Sequence, residues 1–415
     1  MSSSVERQCE NRLKGAALFD KKDRWVISVI NRQVLVDKEV SPNSVIIRDD
    51  TLRSGANTPG VYATIDAKMK VAERLDEMGV KEAEVAYANL EEQRDFVKML
   101  KKAGSRLKLG VHVLLGMNSY KDGISRSIEA GADNINMVAG LARFSGAHPT
   151  VMEVMERIHE AVSYSKEQGM FTTVGGIFYD MDSIGRLVTT AVSASADRIC
   201  IYDARGWFTP EAISFLIRYA RDTAKGKAEI SVHCHNDFGL AAINTLEAIK
   251  AGAHAADVTV NGTGHRCGNA PFEQVVVAAE VLYNIGTGIE LSKIFGLCKL
   301  VEELYGVIIP ANSPHTGKTM YAYGGAHIPS ILRGEWYEWE NVKAETLGCS
   351  RSIFWGPTIQ PGRDSPISSK VTQMGLSASD QQLDAIYGRL QEVIWRKKFA
   401  TDKEMEQLIR ECLSS

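Results

Sequence analysis

Residues 228–252 read Ala228-Glu-Ile-Ser-Val232-His233-Cys-His235-Asn236-Asp237-Phe-Gly-Leu240-Ala-Ala-Ile-Asn-Thr-Leu-Glu-Ala-Ile-Lys-Ala251-Gly252. A short apolar, β-branched run passes through a polar turn into an amphipathic stretch that a glycine closes, the pattern of one strand followed by one helix. His233 and His235 are two apart on the extended part, so both side chains face the same side of the strand. Neutral imidazole nitrogens are good ligands for a divalent ion, and two on one face can share it. The competing reading is a pair of polar residues facing solvent.

Working outward, the same unit recurs. Apolar runs at 45–49, 80–87, 107–115, 134–138, 171–178, 197–203, 230–235 and 256–261 alternate with helical patterns at 61–78, 91–102, 119–129, 151–168, 183–195, 210–224, 240–251 and 271–283. Strict alternation gives a parallel sheet. Eight units over about 240 residues predict a closed (β/α)8 TIM barrel, followed by a mostly helical C-terminal region. An open doubly wound sheet is the alternative, but no glycine fingerprint follows the first strand. The expected division is an N-terminal extension over 1–44, with a hairpin near 24–36, a barrel over 45–289 and C-terminal helical subdomains over 290–415. Within the last, 291–304, 383–394 and 402–412 read as helices.

Bulk properties narrow the class. Of 415 residues, 44% are apolar and 24% charged, which describes a globular chain with ample core. A net charge of −3 leaves no basic footprint for nucleic acid. No segment has the apolar length of a membrane span, and residues 1–24 lack the apolar region of a secretory signal. Seven scattered cysteines do not form a disulfide framework, so a reducing, cytoplasmic setting is expected.

Barrel active sites lie at the C-terminal ends of the strands, and polar residues collect there. The first strand ends in Asp49-Asp50-Thr51-Leu52-Arg53-Ser54-Gly55. The second carries Glu82 and Glu84, the fourth Asn134 and Asn136, and the sixth ends in Asp203. The seventh ends in the histidine pair, and the eighth runs into Asn261-Gly-Thr-Gly-His265-Arg-Cys-Gly-Asn269.

These segments resemble the 2-isopropylmalate synthase and homocitrate synthase family of metal-dependent TIM-barrel lyases and synthases, related to HMG-CoA lyase. Residues 49–60 (DDTLRSGANTPG) are similar to the family's DTTLRDGEQxPG, and 233–240 (HCHNDFGL) to its HxHND segment. Residues 261–269 (NGTGHRCGN) are similar to NGxGERAGN, and 203–210, with Asp203 and Thr209-Pro210, to DTxGxxTP. Residues 312–332 parallel the stretch containing HxSGIH. The resemblance implies that an acyl-CoA, acetyl-CoA in the first instance, condenses with a 2-oxo acid on a divalent metal ion (zinc, manganese or magnesium). It implies Arg53 over the 2-oxo group, Glu84 holding Arg53 or the substrate, and His327 as general base. It implies His233, His235 and Asn269 at the metal. It places Ser54, Asp203, Thr209 and His265 at the substrate. It also implies a homodimer in which the C-terminal region reaches the partner's barrel.

The chain departs from the family at several mouth positions. The metal-binding Asp directly after the Arg is Ser54, and a hydroxyl is a poorer ligand than a carboxylate. Asp49 or Asp50 is the expected replacement, Asp50 being placed at the metal, with weaker metal binding the alternative. The Glu-Gln pair is Ala56-Asn57, the Glu of GERAGN is His265 (a new ligand or a loop residue), and the Thr of DTxG is Ala204. The first His of HxSGIH is Tyr323, and TTVGGIFY over 172–179 lacks the strand-five acidic motif. Two rivals therefore accompany the acyltransferase reading: a CoA-independent aldolase or lyase working through an enolate, and a non-catalytic paralogue serving as a partner subunit. Cys234 and Cys267 read as inert small residues, and Trp336 and Trp339 as packing groups.

Overall fold

The computed structural model describes residues 17–34, 42–140 and 149–414. Eight parallel strands close into a barrel in chain order. They are β1 (Ile46–Asp49), β2 (Glu82–Tyr87), β3 (Lys108–Leu114), β4 (Asn134–Gly140), β5 (Phe171–Ile177), β6 (Arg198–Asp203), β7 (Glu229–Cys234) and β8 (Ala255–Val258). Each expected strand is present, and the closed barrel replaces the open-sheet alternative. The first seven connections each carry a helix, and another, Phe272–Val281, follows β8.

Local chemistry sets the boundaries. The first helix starts at Ile65 and not at 61, because the Thr64 hydroxyl accepts from Ala67 N and caps it. The eighth strand stops at Val258, short of the expected 261. The chain turns there into a 3-10 segment in which Asn261 takes φ +58°. Asn261 N donates to Glu273 Oε2 (3.0 Å) and its Nδ2 to Cys298 O (2.9 Å), bonds a continuing strand would not allow.

The register decides what lies inside. Asp257 pairs with Arg48 across β8–β1 and with His233 across β8–β7, and Tyr202 pairs with His233 across β6–β7. Paired residues on neighbouring strands project to the same face, so all four share the barrel interior. Arg198 is about 1% exposed and is held by Glu82 Oε2 at 2.7 Å from the opposite side. Arg48 lies 3.5 Å from the same carboxylate oxygen. The floor of the barrel is thus a buried network of paired charges, a state tolerated only because each charge has a partner.

The barrel unit spans residues 35–308. It takes in the helix Ile294–Tyr305, whose last residue donates its phenol to Thr51 O (3.2 Å). The second unit combines the described residues 17–34 and 309–414. Its hairpin pairs Ala17–Phe19 with Val26–Ser28, earlier than the 24–36 expected, and a helix occupies Val29–Val34. Val26 N donates to Asn341 O (2.8 Å), which ties the N-terminal residues to this unit. Its core gathers Trp355, Ile367, Leu383, Ile386, Leu390, Met405 and Ile409, largely from the helices Pro366–Gln373, Asp380–Lys397 and Asp402–Ser414. No helix among the described residues is long and apolar enough to cross a membrane.

Candidate active site

The turn after β1 is fixed first. Asp49 accepts from Thr51 N (2.9 Å) and Thr51 Oγ1 (2.8 Å), and Val260 N donates to that hydroxyl (2.8 Å). Asp49 is therefore committed to the turn, and burial pushes its carboxyl up to about 7. The next residue, Asp50, faces the mouth. Arg53 Nη2 donates to Asp50 Oδ2 (2.7 Å) and, closely, to Glu84 Oε2. Arg53 Nη1 reaches the Tyr87 hydroxyl (3.4 Å), and Asn57 Nδ2 donates to the same oxygen (2.8 Å). Glu84 Oε1 lies 2.7 Å from His112 Nδ1.

Electrostatics follow from these contacts. Burial works against the charges of both Arg53 and Glu84. The Asp50 and Glu84 carboxylates outweigh it at Arg53, and Arg53 and His112 outweigh it at Glu84. Both stay ionised. Burial raises Asp50 well above the usual carboxylate range, and only Arg53 opposes it. Burial and the Arg53 charge lower His112. Arg53 Nε is buried and has no hydrogen-bond partner among the described residues.

The second half of the site hangs on β7 and β8. His233 Nδ1 is 3.2 Å from Asp257 Oδ2, and Arg48 Nη1 donates to the other oxygen of that carboxylate (2.7 Å). Arg48 and His233 together hold the Asp257 carboxyl low against its burial. A carboxylate on Nδ1 favours the tautomer whose Nε2 carries the lone pair. That Nε2 faces the Asn269 amide at 2.9 Å, and the other end of the amide meets Ser54 Oγ (3.3 Å). Asp50 Oδ2 is 3.7 Å from His233 Nδ1. One ligand atom each from Asp50, His233 and Asp257 lies within 4.8 Å of the others.

His235 sits just beyond β7, its ring centroid 5.3 Å from that of His233. Its Nδ1 is buried with no hydrogen-bond partner among the described residues. Burial and the neighbouring His233 and Arg266 lower it to about 3, so the imidazole is neutral at ordinary pH. Burial and the charges of Arg266 and Arg53 lower His265 at the same rim. The loop that delivers Asn269 depends on glycine: a Cβ at Gly264, where φ is +148°, would collide with the Asn269 side chain.

Other expected residues have bonds of their own, and the Asp203 carbonyl accepts from His235 N (3.1 Å). The Asp203 carboxylate accepts from Trp207 N (2.9 Å) and Phe208 N (3.3 Å) and holds the turn after β6. Thr209 caps the helix Pro210–Ala224 through Ala212 N. His327 belongs to the second unit, where its ring lies 4.0 Å from that of Trp339. Trp336 is buried in that unit, and Tyr323 donates to Glu340 (2.7 Å). Cys234 is buried, and burial pushes its thiol up. The sequence motifs do not include Asp257, His112 or Tyr202. Asp257 was legible in principle as an acidic residue inside an apolar strand.

Residues 44–301 match the HMGL-like family. The chain belongs to the HMGL-like family. Within it, the chain is 32% identical to a homocitrate synthase of Methanocaldococcus jannaschii, over 89% of this chain and 91% of that protein. It is also 32% identical to an (R)-citramalate synthase of the same organism, over 88% and 74%. Among solved structures, an HMG-CoA lyase of Bacillus subtilis shares the fold with a TM-score of 0.58, at 17% identity over 66% of this chain and 97% of that one. The resemblance drawn from the motifs stands. In this HMGL-like barrel, Asp50 occupies the place of the family pattern's Thr, and Ser54 that of its Asp. The structure puts Asp50 Oδ1 3.3 Å from Ser54 N.

Proposed function

We propose that this protein condenses acetyl-CoA, or another acyl-CoA, with a 2-oxo acid at the barrel mouth. The observation that carries the reading is Arg53, buried and clamped by two carboxylates, facing the His233–Asn269–Asp50 corner. Names of relatives point the same way, since the chain is 32% identical to a homocitrate synthase and to an (R)-citramalate synthase.

The residues present suit a divalent ion. His235 offers a neutral, unpartnered buried nitrogen, and Asp50, His233 and Asp257 bring one ligand atom each within 4.8 Å of the others; Asn269, whose Nδ2 now meets His233 Nε2, would offer its amide oxygen by turning the amide over. Nitrogen and oxygen donors in this mix fit zinc or manganese, and magnesium less well. When bound, such an ion polarises the 2-oxo carbonyl as a Lewis acid. The chain's own residues do the rest. A base, assigned to His327 from the family pattern, takes a proton from the acetyl methyl group. The methyl carbon then bonds to the 2-oxo carbon, and the former carbonyl oxygen takes the electron pair and later a proton. Arg53 faces that developing charge, already oriented by Asp50, Glu84 and Tyr87, so no reorganisation is needed when it forms. Water cleaves the thioester and CoA leaves as the thiol.

We propose further that the working unit is a homodimer in the cytoplasm, with the 309–415 region of one subunit completing the site of the other. The direct test incubates the protein with acetyl-CoA, a set of 2-oxo acids and zinc, manganese or magnesium. Free CoA is followed with a thiol reagent and the product by mass spectrometry. CoA release that requires the 2-oxo acid supports the reading, and no release with any combination refutes it.

A further inference from the structure

A glycine on the fifth strand leaves a space that is filled from the neighbouring strand. Gly175 lies on β5, beside Cys200 of β6 in the register. A Cβ at Gly175 would meet Tyr202 Cδ2 at 2.7 Å and Cys200 O at 2.7 Å, so any side chain there would strike the tyrosine ring. The Tyr202 ring thus covers β5 where a side chain would otherwise project into the barrel. It is about 9% exposed, and its centroid is 4.9 Å from that of His233. On the condensing reading the reacting carbonyl lies between His233 and Arg53.

We infer that Tyr202, admitted by Gly175, sets the size of the acceptor: this site takes a 2-oxo acid with a short side chain, a hydrogen or a methyl group, and rejects a branched one. The inference rests on the condensing reading and deepens it. One adjacent feature fits: Tyr87 places a second aromatic ring 5.4 Å from the Arg53 guanidinium carbon.

Steric exclusion of one or two methyl groups from a rigid aromatic wall is worth roughly tenfold to two-hundredfold in discrimination. The test compares kcat/KM for glyoxylate, pyruvate and 3-methyl-2-oxobutanoate, by acetyl-CoA-dependent CoA release, in the natural protein, Tyr202→Phe and Tyr202→Ala. The expected result is a preference for the short acids of at least about tenfold in the natural protein. Tyr202→Phe should keep that preference, because the ring remains. Tyr202→Ala should move the ratio toward the branched acid by about tenfold. Calorimetric binding of pyruvate and the branched acid to each variant gives a second readout if turnover of Tyr202→Ala is low. Equal use of branched and short acids by the natural protein, or a ratio unmoved in Tyr202→Ala, overturns the inference while leaving the condensing function in place. Absence of CoA release with every acid refutes the function itself.

Discussion

Asp257→Asn isolates what orients the histidine pair. The carboxylate joins Arg48 Nη1 at 2.7 Å to His233 Nδ1 at 3.2 Å, and Arg48 and His233 keep it ionised. The amide conserves volume and can still accept one bond. It removes the charge that balances Arg48, whose remaining acidic neighbour, Glu82, is 3.5 Å away. It also loses the preference for the Nδ1–H tautomer. Weakening one charge-assisted buried bond should lower stability by about 1–3 kcal/mol. Loss of a carboxylate behind a ligating histidine should weaken divalent-ion binding by about tenfold to a hundredfold. Zinc affinity measured by chelator competition and urea unfolding of the metal-free protein separate the two effects. A variant that folds, yet binds zinc within about twofold of the natural protein, would falsify the assignment of His233 as a ligand held by Asp257.

Other outcomes follow from the same geometry. His235, at about 3 in the folded chain, returns to the ordinary histidine value on unfolding. The unfolded state therefore binds the extra proton first, and the metal-free protein should lose stability as pH falls from about 6.5 towards 3. His235→Gln should flatten that decline in urea midpoints, and parallel curves would show that His235 does not cause it. Ser54→Asp brings a carboxylate beside Asp50, 3.3 Å from the Ser54 amide. Alone it should destabilise, and paired with Asp50→Thr it should restore or tighten manganese binding, read by calorimetry. Unchanged affinity in the double variant would place position 54 outside the coordination sphere. Arg53→Lys loses the fork that serves Asp50, Glu84 and Tyr87. Its kcat should fall about a hundredfold to a thousandfold with little change in 2-oxo acid binding. Near-normal turnover would remove Arg53 from the chemistry.

The sequence alone determined the barrel, because βα alternation is a local property: β-branched runs, amphipathic stretches and closing glycines are written residue by residue. It also placed Arg53, His233 and Asn269 at the mouth, since each stands at or beyond the C-terminal end of a strand and the closed barrel brings those ends together, and it put Glu84 on the second of those strands. What it left open depends on register and on packing across the barrel. Asp257 emerges beside Arg48 and His233 only when β8 pairs with both β1 and β7. Asp49 and Asp50 are adjacent in the chain, yet one is consumed by Thr51 and the other faces Arg53, a division set by the turn. The exchange of Gly175 for the ring of Tyr202 joins two strands and two residues with no local signal in common. Side-chain volume is shared between neighbours in space, and only the folded chain shows which neighbour claims it.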